Sequence, residues 1–300
     1  CLVGSEMCIR DRVMAWVLGD IRNPLDTLTA QLLNSILLEN SASPLQQVLE
    51  TSSLGSAPSP LCGLDDSSLQ MVFVCGLEGC ADDSEKDFEQ LVLSTLEKVA
   101  AEGVSYERLS ALLDQIELQQ REISGDGYPY GLQLMLACLP SALHRGNPAA
   151  ALDLDPVLAN LRDAIRDPEF VKSIVNRLLV NNAHRVTLAL SPDPELNENR
   201  AAAEAKKLAA IKATLSEEEK NKIVALSQSL LERQSQVDDP ESLPKVDLDD
   251  VPSDVPFPTF ATDAIEGQPF TFYPQGTNGL TYRQIVAPLP QFNELSLIHI

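Results

Sequence analysis

The sequence predicts an α+β fold, a mostly antiparallel sheet covered by helices, followed by an antiparallel helical hairpin and the truncated start of a second α+β unit. Three observations carry this. Short apolar runs recur at Val13–Leu18, Leu69–Leu77 and His184–Leu190, with helical periodicity filling the stretches between them. From Glu195 the composition shifts to alanine, lysine and glutamate. Beyond a proline-rich stretch, two further apolar runs flank Gly276–Gly279.

Val13–Leu18 contains the only tryptophan, Trp16, and reads as a buried strand. A helix follows, because Asn23 can cap it and Pro24 sits in its first turn, where a missing N–H costs nothing. Leu25, Leu28, Leu32, Leu33, Ile36 and Leu37 give that helix one broad apolar face. Ser43-Pro44-Leu45 opens a second, shorter helix by the same device. Serine, glycine and proline dominate from Thr51 to Ser68, which predicts a loop leading into the strand Leu69–Leu77. Phe88, Leu91, Val92, Thr95, Leu96 and Val99 mark a third helix ended by Gly103, and Leu109, Leu112, Leu113 and Ile116 a fourth. Helical character continues over Tyr130–Leu143 and Pro156–Leu179, and the strand His184–Leu190 stops at Ser191-Pro192-Asp193-Pro194.

In the second region Ser216 and Glu219 form an S-x-x-E capping box, the turn between two antiparallel helices. Ile223, Leu226 and Leu230 give the second of these a narrow apolar seam, suited to packing on another body or spanning between bodies. Val237–Pro258 holds five prolines and a cluster of aspartates, an extended linker. Phe270–Tyr273 and Leu280–Val286 then read as strands around the Asn278-Gly279 turn.

The composition is that of a folded chain: 44% hydrophobic, 22% charged and 5% aromatic residues. A net charge of −22 repels phosphate backbones and anionic lipid heads, which argues against nucleic acid and membrane as partners. No apolar run reaches the roughly 18 residues of a bilayer span. Met7–Asp11 back-translates as ATG TGT ATA AGA GAC, and Leu295–Ile300 as CTG TCT CTT ATA CAC ATC. These strings are reverse complements and look like a transposase-end library adaptor. Residues 1–12 and 295–300 are therefore expected to be translated adaptor around an internal piece of a longer gene.

Little in the sequence points to chemistry. Between those ends the histidines are His144 and His184, each followed by arginine, and neither H-x-x-E-H nor H-E-x-x-H occurs. A helix end and a strand start are the expected places of these two rings. Glu117 and Glu122 lie about 500 degrees of helical rotation apart and share no face. Glu117 and Arg121, at i and i+4, make a surface ion pair. Cys62, Cys75, Cys80 and Cys138 lack the spacing of a zinc ribbon and are expected to be reduced and buried. We assign no catalytic, cofactor-binding or metal-ligating residue.

Five phrases in order carry a resemblance: Leu32–Glu50 (LLNSILLENSASPLQQVLE), Phe73–Gly79 (FVCGLEG), Ile116–Glu122 (IELQQRE), Leu178–Asp193 (LLVNNAHRVTLALSPD) and Thr277–Tyr282 (TNGLTY). Together they resemble the presequence protease branch of the pitrilysin and insulinase-like zinc metallopeptidases. The resemblance implies a clamshell of two halves, each of two α+β domains of metallopeptidase-like roll, joined by a helical hairpin around a chamber for unfolded peptides. Residues 13–194 would be the second, noncatalytic domain lacking its first strands. Residues 195–237 would be the hairpin linker, 238–258 the extended linker and 259–294 the start of the third domain. The family's zinc motif belongs to its first domain, so Zn²⁺ is implied for the full-length parent and none for this segment. The implied compartment is the cytoplasm of a bacterium or the mitochondrial matrix of a eukaryote, in soluble form. Oligomeric state is not implied. Two rival classes remain, a scaffold subunit related to noncatalytic processing-peptidase or respiratory-complex core proteins, and a free-standing helical adaptor.

Overall fold

The computed structural model describes residues 10–123, 129–251, 253–255 and 257–287. Except for Arg10, Asp11 and Arg12, the terminal strings read as adaptor lie outside the described residues. The chain forms two compact units, one running to Pro192 and taking in the segment from Gly276, the other Asp193–Gln275.

The first unit is built on a sheet in the order β2-β4-β1-β5, with β3 also paired to β4. Its strands are β1 (Arg12–Asp20), β2 (Ala57–Pro58), β3 (Gly63–Asp65), β4 (Gln70–Glu78) and β5 (Arg185–Ala189), and every pairing is antiparallel. Met14 and Trp16 of β1 stand opposite Cys75 and Phe73 of β4, and all four are fully buried. This is the period-2 signature of a strand with one face on a core.

Helices cover that face: α1 (Pro24–Leu38), α2 (Pro44–Thr51), α3 (Glu85–Glu102), α4 (Tyr106–Arg121), α5 (Tyr130–Leu143), α6 (Asp155–Ala164) and α7 (Glu169–Val175), which runs into a π-helical turn, Asn176–Val180. Asn23 caps α1 by accepting from the Leu25 N–H at 3.1 Å. Gly103, at φ 76°, ends α3 and donates its N–H to the Val99 carbonyl. Leu25, assigned above to the apolar face of α1, is 38% exposed, while Leu28, Leu32, Leu33, Ile36 and Leu37 are buried. The indole N–H of Trp16 donates to the Leu179 carbonyl at 3.0 Å, which ties β1 to the π turn. Arg12 is 1% exposed, with its guanidinium 2.9 Å from Glu85 and hydrogen-bonded to the carbonyls of Ala81 and Leu190.

In the second unit, α8 (Leu196–Thr214) and α9 (Glu217–Gln234) bury no residue. The capping box is formed, with Ser216 Oγ accepting from the Glu219 N–H and Glu219 accepting from the Ser216 N–H at 2.8 Å.

Three local expectations are corrected. The Ser/Gly/Pro stretch contributes β2 and β3, whose two and three residues are too short to show alternation. The helical run after Pro156 breaks at Asp167-Pro168, where proline supplies no N–H donor. The late hairpin pairs β6 (Ala261–Ile265) with β7 (Gln268–Phe272) across Glu266-Gly267, and Leu280–Val286 forms no strand. Glu266 and Gly267 both take positive φ, 51° and 81°, as a two-residue hairpin turn requires. Glutamate is a rare occupant of that conformation, so sequence points to the Asn-Gly pair instead.

Candidate functional site

The densest polar cluster of the first unit lies where the C-terminal half of α4 meets α6. Glu117 accepts from Arg121 Nε at 2.7 Å through one oxygen and from Arg162 Nη2 through the other. Arg162 also reaches Asp114 at 2.7 Å, and Arg121 reaches Asp155. Hydrogen bonding to Arg162, reinforced by Arg121, holds the Glu117 carboxyl below the usual glutamate range against the opposing effect of burial. Both guanidinium groups are shifted up, each first by its hydrogen bond to Glu117. A carboxylate ionised and engaged on both oxygens has no proton to donate near neutral pH, and its free basicity is spent on two cations. The cluster therefore fastens α4 to α6. The sequence shows the Glu117–Arg121 pair, which forms as expected. Arg162, Asp114 and Asp155 come from other turns of α4 or from α6, and no local pattern announces them.

Glu122 is the C-cap of α4 and lies in the exposed class, away from this clamp. His144 is the C-cap of α5, and His184 precedes β5, the helix end and strand start anticipated for them. Asp20 is held down to about 2 by its hydrogen bonds with Arg22, an exposed local pair.

All four cysteines are free thiols. Cys75 and Cys80 are buried as expected, but Cys62 and Cys138 are only partly covered. Burial pushes the Cys75 thiol well up, and desolvation raises Cys62 as well, so neither is a ready thiolate nucleophile. Among the described residues no group of three or more His, Cys, Asp or Glu side chains could hold a metal ion. The residues present do not fit a zinc centre.

What the first unit offers instead is apolar surface. A groove of about 260 Å³ between α1 and α5 is lined by Ile21, Pro24, Leu28, Leu136, Pro140 and Leu154. Beside it α5 leaves Leu132, Met135, Leu136, Leu139 and Leu143 exposed and buries only Ser141. These five follow helical spacing, so the outward side of α5 is one continuous apolar face. Among the described residues no helix is long and apolar enough to cross a membrane.

Residues 11–116 match the model of the Peptidase M16 inactive domain, and residues 190–299 that of the associated family of Peptidase M16 subgroup C. The mitochondrial presequence protease of Danio rerio is 30% identical over 270 residues, covering 90% of this chain and 26% of that protein. Presequence protease 1 of Arabidopsis thaliana, chloroplastic and mitochondrial, is 30% identical over 280 residues, with the same two coverages. The chain thus spans about a quarter of the length of the curated relatives it matches. Among solved structures, the inactive peptidase domain of a Bordetella parapertussis protein covers 62% of this chain and 93% of its own, at 17% identity and a TM-score of 0.45. With two family segments in consecutive order and presequence proteases aligned along nine-tenths of its length, the chain belongs to the presequence-protease branch of the M16 metallopeptidases.

Proposed function

We propose that this chain is a noncatalytic, chamber-forming and hinge segment of a zinc-dependent oligopeptidase that degrades unfolded peptides. The observation that carries the reading is the succession of an inactive-domain match and a peptidase-associated match on one chain aligned to presequence proteases. The side chains agree with it: the strongest ionic cluster is a helix clamp, the thiols are protonated, and the largest uncommitted feature is apolar surface. The peptidase-associated match over residues 190–299 favours the peptidase over a two-domain scaffold subunit.

In the parent, zinc and the residues that hold it belong to a segment outside this chain, and this part walls and hinges the chamber. Selection of substrate then rests on enclosure and on the flexibility of the peptide. The net charge of −22 supports a preference for basic peptides, which neutralising substitutions in the full-length enzyme would weaken relative to neutral peptides. A mitochondrial or chloroplast location follows the relatives' own.

The test is extension of the genomic locus upstream, followed by assay of the full-length product. An in-frame His-x-x-Glu-His and zinc-dependent cleavage of unfolded peptides are the expected results. A complete reading frame that starts inside this chain, or a full-length protein that binds no zinc, would remove the reading.

A further inference from the structure

Two of the family-like phrases, Ile116–Glu122 and Thr277–Tyr282, meet in space. Asn278 Nδ2 donates to the Arg121 carbonyl at 3.3 Å, and Arg121 Nη1 approaches the Asn278 carbonyl at 3.5 Å. Arg121 is the last residue of α4, so its carbonyl is one of those a helix leaves without an internal partner. The Asn278 amide serves it across 157 positions of sequence.

The geometry of the incoming segment suits this task. Asn278 and Gly279 have φ of 51° and 85°, and Leu280 N–H closes onto the Thr277 carbonyl at 3.0 Å, a tight turn with two left-handed central residues. A Cβ built on Gly279 would meet Arg121 Nη1 at 3.7 Å, so the turn lies against the guanidinium itself. Burial gives an independent sign. From Asn221 to Ala287, Thr277 and Leu280 are the only described residues outside the exposed class. The long exposed stretch therefore touches down at the two corners of this turn and nowhere else among the described residues. Arg121 is itself fixed by Glu117, which Arg162 also holds.

We propose that Thr277–Leu280 is a clip that fastens the returning chain to the C-terminal end of α4, with Asn278 and Arg121 as its positioning residues. The polypeptide beyond it would then depart from a fixed point on the inactive domain, and opening the clip would free that departure. The inference concerns contacts within this chain and stands or falls separately from the peptidase reading.

Hydrogen exchange on the 300-residue protein tests it, following amides of residues 276–283. Asn278→Gly keeps the left-handed turn and removes only the side-chain amide. Arg121→Lys keeps a cation beside Glu117 and removes the guanidinium fork. In the wild type the Leu280 amide is expected to exchange more slowly than in an isolated peptide of the same sequence. Each variant should speed it by about two- to tenfold, the range of one net hydrogen bond, with the thermal midpoint of the domain unchanged for Asn278→Gly. Exchange at the peptide's rate in the wild type, or protection that survives both substitutions, would overturn the clip.

Discussion

The helices of the first unit and those of the hairpin carry similar local signals and reach opposite ends. α1 and α4 have side-chain caps and periodic leucines, and they bury seven and four residues respectively. α9 has the better cap, a complete capping box with acidic residues through its first turn, and buries none. Local capping therefore decides where a helix starts, while burial is decided by what the rest of the chain brings to its apolar face. In the first unit that partner is the sheet. For α9, Ile223, Leu226 and Leu230 stay 53%, 72% and 54% exposed. The domain is held by tertiary packing and the hairpin by cap, helix propensity and pairs such as Glu217–Lys220 at 2.7 Å and Glu218–Lys222 at 2.8 Å.

The strongest way to break this contrast is to open the domain core. Phe73→Ala removes a fully buried ring that pairs with Trp16 at 6.0 Å between centroids, and should cost about 3–5 kcal/mol. Tryptophan fluorescence and near-ultraviolet circular dichroism would report the loss. Helical signal from Leu196–Gln234 should persist after the domain has melted. Simultaneous loss of both signals would mean that the hairpin depends on the domain core.

A smaller effect is expected at the α4–α6 clamp. Glu117→Gln keeps the shape and removes the charge shared by Arg121 and Arg162, for an expected loss of about 1–2 kcal/mol near neutral pH. Because the folded state holds the Glu117 pKa down, its contribution is complete above the unfolded-state value of about 4.3 and disappears as pH falls through the lower folded value. Urea titrations at successive pH values should therefore show the wild type and Glu117→Gln converging in acid. Parallel curves down to about pH 3 would assign the clamp no linkage.

What the sequence made legible follows the same division. Alternation exposed β1 and β4 because each has one face on the core, and Asn23, Gly103 and Ser216 marked helix ends because capping is a matter of a few adjacent residues. β2 and β3 were hidden, since two or three residues carry no period. The clamp was half legible: Glu117–Arg121 is an i,i+4 pair, whereas Arg162 lies 45 positions from Glu117 and only the tertiary fold joins them. Asn278-Gly279 was read correctly as a turn and wrongly as a hairpin, because its ladder belongs to Glu266-Gly267. The apolar stripe of α5 was plain as a helix, but periodicity does not say whether its stripe faces this core or lies bare.

On the hairpin, Ser216→Ala removes the hydroxyl that accepts from the Glu219 N–H and should destabilise α9 by about 1 kcal/mol. Helix content should fall and amides at the start of α9 should exchange faster, while the domain melts at the wild-type temperature. A matching fall in the domain transition would show that the two regions fold as one.

The smallest stability effect is expected on α5, and it sharpens the comparison because α5 belongs to the domain yet resembles the hairpin in leaving its stripe bare. Leu139 is 45% exposed and Leu143 68%, against 0% for Leu32 and Leu33 of α1. Replacing both α5 leucines by glutamine removes little buried area, so the melting transition should move by no more than about 0.5 kcal/mol per site. Solubility should respond in the other direction. A continuous apolar face in water promotes self-association, and two amides within it interrupt the patch. Light scattering at increasing protein concentration should show later onset for the double variant, whereas the same exchange at Leu32 and Leu33 would unfold the domain. A large loss of stability from the α5 pair would mean that its stripe is already packed within this chain, and the likeness between α5 and the hairpin would fail.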